Sequence, residues 1–465
     1  MRVVFYLFIL TGIQTAFAQD INRDFKKREK TLSKHHEYHQ ALVMKIMNSV
    51  VDKDGGPVVI CNFEKTLSLI RDMDNMTLGV PKILYLVGWQ YNGHDDRYPA
   101  FFEVNNALKR PRDKDGLQSL NWLVKEAKKY HTTISLHINM TDAYDNSPLW
   151  KEYVENDLIS KNEDGSLKVI GNYNGRNAYQ VNYRNEWEKG FAQKRVNQLL
   201  KLLPWLREAG TIHLDAWYVR ESKGHKESEE TEREYQKKIG RYWLQQGIDP
   251  TNEIVLDYLT GIVPYCYHFN FRTQKDYLDV PASVLTGTHM NPDIRSSDFG
   301  LQFLFGTSTY GETSFPGAWS KVLEEKWEAV FINNFFLNFP QYYYLNRLNR
   351  LRVEGEGNDR TAYFSGGVKV SLRDSTVLEN DRQLRIGSTL CFPARWTGNN
   401  SLVAFSTKDT TISYRLPKTW AIAGKAAVFA ISKAGLAKQN DITISAGQLK
   451  LPLKAGVPVC IRPGK

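Results

Sequence analysis

Short apolar runs alternate with helical stretches through the middle of the chain. The runs are rich in β-branched residues, are bounded by turn residues, and cover 57–62, 83–89, 133–139 and 211–215. Between several of these runs, the sequence pattern predicts helices over 117–130 and 188–208. Alternation of this kind is typical of a parallel sheet covered by helices. It favours an α/β fold of the (β/α)8 TIM-barrel type over a doubly wound sheet, since no glycine-rich phosphate-binding motif follows any of these strands.

Beyond about residue 365 the pattern changes to short strands separated by turn residues, at 367–371, 402–406, 411–414, 427–431 and 457–461. This spacing predicts a C-terminal all-β sandwich domain, and no low-complexity linker separates it from the barrel. We therefore predict a barrel over 57–362 and a β-sandwich over 363–465. The segment 19–56 precedes them, and its charged residues 20–50, without proline or glycine, have a helical pattern.

The N-terminus has the pattern of a secretory signal. Arg2 provides a positive charge, an apolar run covers residues 3–10, and Ala16-Phe17-Ala18 fits the small-x-small cleavage rule. The apolar run is shorter than the roughly 20 residues that a bilayer span requires. We therefore predict cleavage before Gln19 and export to the periplasm or the medium.

Charge and cysteine content narrow the classes of function. The formal charge is +10, but the basic residues are dispersed among 51 acidic ones, which argues against a nucleic-acid-binding surface. No pattern of cysteine and histidine indicates a structural metal site, and no motif indicates a cofactor. The cysteines are Cys61, Cys266, Cys391 and Cys460, of which the last two could pair after export or remain buried thiols.

Polar and aromatic residues recur where the predicted strands end. In a barrel these ends share one face, on which catalytic side chains gather. Aromatic rings beside polar side chains are typical of sugar-binding pockets, because a ring packs against sugar C–H groups while hydroxyls bond to the polar groups. The expected pocket residues are Trp89, His94, Asp95, His137, Asn139, Asp215 and Trp217.

Hydrolysis of a glycosidic bond requires two carboxylates. Asp215 closes an apolar strand and is the first candidate. Two residues compete for the second position. Glu253 lies at the barrel mouth if residues 248–252 form the strand, although Pro250 disfavours that register. If residues 253–256 form the strand, Asp257 lies at the mouth instead, and its apolar run is the better one.

Five segments together resemble the catalytic barrel of the endo-α-N-acetylgalactosaminidases, glycoside hydrolase family 101, and of the related family 129. They are GWQYNGHDDRYP, LHINMTDAYDNSP, NYNGRNAYQVNY, TIHLDAWY and GIDPTNE. The resemblance implies that Asp215 is the nucleophile and Glu253 the acid/base. It also implies that His94 and Asp95 hold sugar hydroxyls, and it matches His137 and Asn139 to the family's strand end. Enzymes of family 101 are typically much larger, with carbohydrate-binding modules.

The sequence therefore supports one main hypothesis and two alternatives. The main one is a retaining glycosidase that cleaves α-linked N-acetylgalactosamine from O-glycans or glycopeptides, without a cofactor or metal. One alternative is a non-catalytic glycan-binding barrel of a polysaccharide-uptake system. The other is an exo-acting α-glycosidase with a different sugar specificity. Turnover of an aryl α-glycoside distinguishes the enzymes from the binding module.

Overall fold

The computed structural model describes residues 34–269, 271–287, 298–308, 327–416, 420 and 424–464; the predicted signal sequence lies outside them. The helices are α1 Phe63–Thr77, α2 Gly116–Ala127, α3 Trp150–Glu155, α4 Tyr183–Glu188, α5 Phe191–Leu202, α6 Leu206–Ala209, α7 Glu229–Gln245, α8 Gln274–Asp279, α9 Phe299–Phe305 and α10 Trp327–Leu345. Within the described ranges, no helix combines the length and the apolar character needed to cross a membrane.

The strands of the first part of the chain are β1 Leu42–Met47, β2 Ser49–Val51, β3 Pro57–Val59, β4 Lys82–Val87, β5 Thr132–Asn139, β6 Asp142–Ala143, β7 Val169–Tyr173, β8 Arg176–Gln180, β9 Thr211–Asp215, β10 Asp249–Ile254, β11 Tyr265–Phe269 and β12 Thr286–Gly287. The strands of the C-terminal part are β13 Arg350–Glu354, β14 Thr361–Phe364, β15 Val368–Ser371, β16 Thr376–Glu379, β17 Arg382–Ile386, β18 Thr389–Pro393, β19 Leu402–Ser406, β20 Thr410–Arg415, β21 Lys425–Ser432, β22 Gly435–Thr443, β23 Gln448–Leu453 and β24 Val459–Pro463.

A curled parallel sheet forms the first part. Within the part of the chain that the structure describes, it has seven strands in the order β1-β4-β5-β9-β10-β11-β12. The curl brings β11 back towards β1, because the backbone N–H of Lys45 donates to the Tyr267 hydroxyl at 3.0 Å. The predicted α/β barrel type is confirmed, with helices covering the outer face of the sheet.

Side-chain alternation explains why short runs such as 211–215 form barrel strands. In β9, Ile212 and Leu214 belong to the apolar layer between the sheet and the helices. The alternate residues face the interior, where the Thr211 hydroxyl lies 2.6 Å from that of Tyr85 and His213 Nδ1 lies 2.9 Å from Thr251 Oγ1. Because side chains of a strand alternate between its faces, Asp215 continues the interior row at the carboxyl end.

The C-terminal part is all-β, as predicted. A ten-stranded sheet runs in the order β13-β14-β15-β16-β17-β18-β19-β24-β21-β22, and β20 pairs with β23. This part packs directly on the barrel: Phe336 of α10 stacks on Phe405 of β19, with ring centroids 5.6 Å apart. The Trp396 indole N–H also donates to the carbonyl of Thr77, at the end of α1, at 2.9 Å.

The helical prediction for residues 20–50 is wrong where the structure describes them. The first barrel strand is Leu42–Met47, which lies before the predicted barrel start. Its only charged residue, Lys45, is buried inside the barrel, so the polar position marked an interior site rather than a solvated helix face. The run at 57–62 instead contributes β3, which forms an exposed hairpin with β2.

The bounds of β10 decide between the two strand registers that the sequence left open at 248–257. It covers Asp249–Ile254 and therefore includes Pro250. The Asp249 N–H donates to Gly210 O on the β9 side, so the next residue's nitrogen points to the opposite side, towards β11. Pairing of β10 with β11 starts only at Asn252. Proline is therefore accommodated because no ladder bond requires an N–H at that point.

The four cysteines are buried free thiols. Cys391 of β18 lies opposite Ala404 and Cys460 of β24 lies opposite Val403, on the two sides of β19. The sequence left a disulfide or two buried thiols open for Cys391 and Cys460, and the structure shows two buried thiols.

Candidate active site

The carboxyl ends of β4, β5, β9 and β10 converge at one mouth of the barrel. The converging side chains are those of His94, Asp95, His137, Asn139, Asp215 and Glu253, all of which the sequence predicted as site residues. Three sets of contacts make up the site: those of Asp215, those of Glu253, and those of the loop that carries His94 and Asp95.

Asp215 is held by two neighbours from β5. His137 Nε2 lies 3.2 Å from Asp215 Oδ2, and the Asn139 amide donates to the same oxygen at 3.4 Å. Asn139 is itself fixed, because its Oδ1 accepts the backbone N–H groups of Thr141 and Asp142. Burial alone would raise the pKa of Asp215, but His137, His94 and Lys45 hold that pKa well below its usual value. Asp215 is therefore an ionised carboxylate in a largely dry site.

Glu253 lies beside Asp215 on the next strand. Its Oε2 is 3.4 Å from the backbone nitrogen of Ala216, the residue that follows Asp215. Its Oε1 accepts from Lys45 Nζ at 2.7 Å, and the Lys45 side chain is only 1% exposed against 13% for Glu253. The Lys45 ammonium also lies over the Tyr267 ring, 4.5 Å from its centroid. One oxygen of Glu253 is thereby fixed by Lys45, and the other is directed towards the Asp215 strand end.

Asp257, the rival of Glu253, lies elsewhere. It opens a short 3₁₀ turn, Asp257–Leu259, after β10 has ended, and it is exposed. Glu253 is thus the carboxylate of this segment that lies next to Asp215.

The loop after β4 carries His94 and Asp95 over the site. His94 Nε2 lies 3.5 Å from Asp95 Oδ2, and the His94 and His137 rings meet edge to face at 5.2 Å. The loop packs tightly on β2, where the His94 N–H donates to Ser49 O at 3.0 Å. Gly88 has a φ of +73°, and a Cβ there would lie 1.9 Å from the Ser49 carbonyl oxygen. Glycine is required at this position for the loop to approach β2.

The site is a polar pocket in which Asp215, a carboxylate with a lowered pKa, has a second carboxylate, Glu253, beside it. The family model for endo-α-N-acetylgalactosaminidase, glycoside hydrolase family 101, matches residues 19–249, which include Asp215. Over this segment, just under half of its length, the chain is similar to glycoside hydrolase family 101.

Solved structures of a related activity share the fold of this chain. The α-N-acetylgalactosaminidase NagBb from Bifidobacterium bifidum is similar in its ligand-free form, with a TM-score of 0.55 at 13% identity over 79% of this chain. Its complexes with Gal-NHAc-DNJ and with GalNAc give TM-scores of 0.55 and 0.54, both at 13% identity. Each match covers 63% of the NagBb chain, and 79% and 80% of this one respectively. The two chains therefore share the fold, while their sequences have diverged widely.

Trp89 and Trp217 lie below the barrel mouth rather than in it. Both are fully buried. The Trp89 indole N–H donates to the His137 carbonyl at 3.0 Å, and the Trp217 ring packs 3.3 Å from where a Cβ of Gly240 would stand. In this conformation, neither ring is presented to a ligand. They support the strand ends that carry His137 and Asp215.

Two buried residues of the barrel mouth do not follow from the sequence pattern. Lys45 lies in the segment whose pattern predicts a helix. Asp142 stands in the LHINMTDAYDNSP motif, three residues after Asn139, but the motif alone assigns it no role. It accepts from the Tyr144 hydroxyl at 3.2 Å. Burial raises the pKa of Asp142 well above its usual value, and Asp95 and Asp215 raise it further. The position of Asp142 after a predicted strand end was the signal that could have identified it.

The pKa of Asp95 is raised as well. Burial raises its pKa, and the Asp215 and Glu253 carboxylates add to the effect, while His94 and His137 oppose it. The site therefore holds carboxyl groups with opposite tendencies: Asp215 is driven to the ionised form, whereas Asp95 and Asp142 are driven to the neutral form. A neutral carboxyl group can donate a hydrogen bond from its hydroxyl, whereas the ionised Asp215 can only accept.

Three of these side chains could also bind a cation. His94, His137 and Asp215 each offer one ligand atom, and these atoms lie within 4.8 Å of one another. Two imidazoles and a carboxylate suit a transition-metal ion of the zinc type. A cation there would compete for the carboxylate that a covalent mechanism uses as its nucleophile.

We expect Asp142→Asn to stabilise the protein increasingly as the pH rises. A folded-state pKa above the unfolded one favours the fold at low pH, and this contribution is lost as the pH rises through the folded-state value. Asparagine cannot ionise, and its Oδ1 can still accept from Tyr144. The melting temperature of the variant relative to wild type should therefore increase between pH 4 and pH 8. A change of about 1 kcal/mol corresponds to roughly 2–4 °C for a large domain.

The exposed carboxylate of Asp54 provides the control for this measurement. Asp54→Asn should leave the difference in melting temperature the same at each pH. A constant difference for Asp142→Asn as well would show that the Asp142 carboxyl is not held in its neutral form by the fold.

Proposed function

We propose that this protein is a glycosidase that hydrolyses α-linked N-acetylgalactosamine of O-glycans with retention of configuration, Asp215 acting as nucleophile and Glu253 as acid/base. The observation that carries the proposal is the pairing of a deeply buried, ionised Asp215 with Glu253 at the adjacent strand end. The family relationship supports the sugar, since the matching family model is that of endo-α-N-acetylgalactosaminidases.

In the first step, an oxygen of Asp215 attacks the anomeric carbon while the bond from that carbon to the leaving oxygen breaks. Glu253 transfers its proton to this leaving oxygen, so the departing serine or threonine side chain leaves as a neutral hydroxyl. Lys45 fixes Oε1 of Glu253, so Oε2, which lies on the Asp215 side, is the oxygen that exchanges the proton with the leaving group and with water. In the second step, Glu253 removes a proton from water, which attacks the anomeric carbon and releases Asp215.

The neighbours of Asp215 determine how well it performs this role. Asn139 and His137 hold Oδ2, so the carboxylate is oriented before substrate arrives. A preorganised carboxylate requires no rearrangement when positive charge develops on the sugar ring. His94 and Asp95 stand on the β4 side of Asp215, where they can hold hydroxyls of the reacting sugar.

A panel of 4-nitrophenyl α-glycosides tests the sugar and the stereochemistry together. We expect turnover of the α-N-acetylgalactosaminide to exceed that of the α-galactoside and α-glucoside by at least about 100-fold, because the acetamido group supplies contacts that the other sugars lack. Proton NMR of early time points should show the α-anomer of the released sugar first. Initial release of the β-anomer, or preference for a different glycoside, would contradict the proposal.

A further inference from the structure

A basic cavity lies at the floor of the barrel, at the end opposite the catalytic mouth. Its volume is about 240 Å³, and three parts of the chain line it. They are the turn that precedes β1, the end of α8 with residues 281–283 before β12, and residues 346–350, which join α10 to β13. The cavity therefore lies where the barrel is connected to the C-terminal sheet.

The titratable side chains that line this cavity are basic. They are His39, Arg347 and Arg350, and the described residues of the wall include no aspartate or glutamate. Glu37 approaches His39 Nδ1 at 3.3 Å, but its side chain is 75% exposed, so solvent screens its charge. Positive charge is thus concentrated in the cavity without a buried carboxylate in its wall to balance it.

The two arginines are held by neutral acceptors. Arg347 donates to Gln40 Oε1 at 3.0 Å. Arg350 donates from Nη1 to the carbonyls of Tyr277 at 2.9 Å and Val280 at 3.1 Å. These bonds fix the positions of the guanidinium groups, but they leave the positive charges in place.

Two buried donors of the cavity wall have no acceptor among the residues that the structure describes. One is Arg350 Nε and the other is Asn346 Nδ2, although Asn346 Oδ1 accepts from Arg350 at 2.9 Å. Asn346 is only 5% exposed. Because buried polar groups in folded proteins are almost always hydrogen-bonded, two such donors on neighbouring side chains of one cavity indicate a ligand that accepts.

The basic groups of this region also act on one another. The pKa of His39 is lowered to about 4, first by burial, and the side chains of Lys34, Arg350 and Arg347 lower it further. The pKa of Arg350 is lowered to about 9, by burial and then by Arg272. Groups that oppose each other's protonation create a positive potential, which attracts an anion.

We propose that this cavity binds a tetrahedral oxyanion, a phosphate or sulfate group, which connects the floor of the barrel to the start of the C-terminal sheet. Arginine suits such a group because its planar guanidinium presents several N–H donors to the oxygens. Arg350 Nε and the Asn346 amide supply buried donors, and the exposed Arg347 supplies charge at the entrance. The proposal does not depend on the catalytic assignment.

Isothermal titration calorimetry of the full chain with inorganic phosphate and with inorganic sulfate, at constant ionic strength, tests the site. The variants are Arg347→Gln and Asn346→Asp. In the second, Oδ1 can still accept from Arg350, but a carboxylate oxygen replaces the amide donor and repels an anion. Arg352→Gln is the matched control, because Arg352 is an exposed arginine of β13 that donates to Glu354 at 2.7 Å, outside the cavity.

We expect one saturable site with a Kd below about 1 mM. Arg347→Gln should raise the Kd about tenfold, the scale of one lost charge-assisted hydrogen bond. Asn346→Asp should abolish binding, and Arg352→Gln should leave the Kd within about twofold of wild type. The anion should also raise the melting temperature of the wild type more than that of Arg347→Gln, because a ligand that binds the folded state stabilises it.

Glycerol 2-phosphate distinguishes the two sources of such a group. Weaker binding than that of inorganic phosphate identifies a free anion, and tighter binding identifies a phosphoryl group carried by a larger molecule. No saturable binding of any of the three probes up to about 10 mM would overturn the inference. So would wild-type affinity in Asn346→Asp, or equal weakening in Arg347→Gln and Arg352→Gln.

Discussion

Replacing Asp215 by asparagine is expected to abolish turnover, with kcat reduced by about 10⁴-fold or more. Asparagine keeps the size of the side chain and can still accept from Asn139, but it cannot form the covalent bond to the anomeric carbon. A loss of this size corresponds to at least about 5.5 kcal/mol of transition-state stabilisation. It should appear with activated aryl α-N-acetylgalactosaminides as well as with glycopeptides, since both require the nucleophile.

The loss should be separable from an effect on folding. The neighbours of Asp215 lower its pKa, so the carboxylate contributes stability above its unfolded-state pKa, and this contribution is lost as the pH falls through the folded-state value. A moderate decrease in melting temperature at neutral pH is therefore expected for Asp215→Asn. Ligand binding should persist, because the groups from β4 and β5 remain in place.

Asp249→Asn is the matched control for this variant. Asp249 is also a buried aspartate on a barrel strand, but it lies at the opposite end of β10 from Glu253 and accepts from the Tyr38 hydroxyl at 3.2 Å. This variant should keep kcat within a few-fold of wild type, even if its melting temperature falls. If both variants lose activity equally, the effect comes from the barrel interior and not from a nucleophile.

Removing Glu253 is expected to produce a loss that depends on the leaving group. Glu253→Ala should lower kcat/KM by about 10²–10⁴-fold on serine- or threonine-linked sugars, which need protonation to leave. With an acidic phenol as leaving group, protonation is unnecessary and the first step should be much less affected. Azide should then increase turnover, because it can attack the glycosyl-enzyme without a general base.

Asp257→Ala is the discriminating partner of Glu253→Ala. Asp257 is exposed in the turn after β10, so its removal should leave both classes of substrate unaffected within about twofold. If Asp257→Ala instead shows the leaving-group dependence and azide rescue, and Glu253→Ala does not, the acid/base assignment is wrong while the nucleophile assignment stands.

Much of the site could be predicted because barrel strands impose a simple geometry. The run Thr211-Ile-His-Leu-Asp215 is short, apolar on alternate residues and polar on the others, so the position of Asp215 at the mouth followed from the end of the strand. The same reasoning gave His137 and Asn139, which lie beside it in register, Asn139 opposite Asp215. Family resemblance then indicated the sugar, which no residue pattern alone could supply.

Other features could not be predicted because they depend on tertiary contacts. The Lys45 ammonium donates to Glu253, 208 residues further along the chain, and nothing local marks Lys45 as a buried strand residue. The orientation of Trp217 depends on the turn at Ala216, whose φ of 42° directs the chain so that the ring packs beneath the mouth. Local physics favoured Asp257 over Glu253 because of Pro250, and only the incomplete pairing of β10 with β11 explains why proline is accommodated there.

The central claim, that Asp215 forms a covalent bond to the sugar, is tested most directly by trapping the intermediate. A 5-fluoro-α-N-acetylgalactosaminyl fluoride should react rapidly and hydrolyse slowly, so that mass spectrometry detects the protein with one fluorosugar attached. We predict that peptide mapping places this adduct on Asp215 and that Asp215→Asn forms none. An adduct on Glu253, Asp95 or Asp142, or turnover of this reagent with no covalent species, would contradict the account.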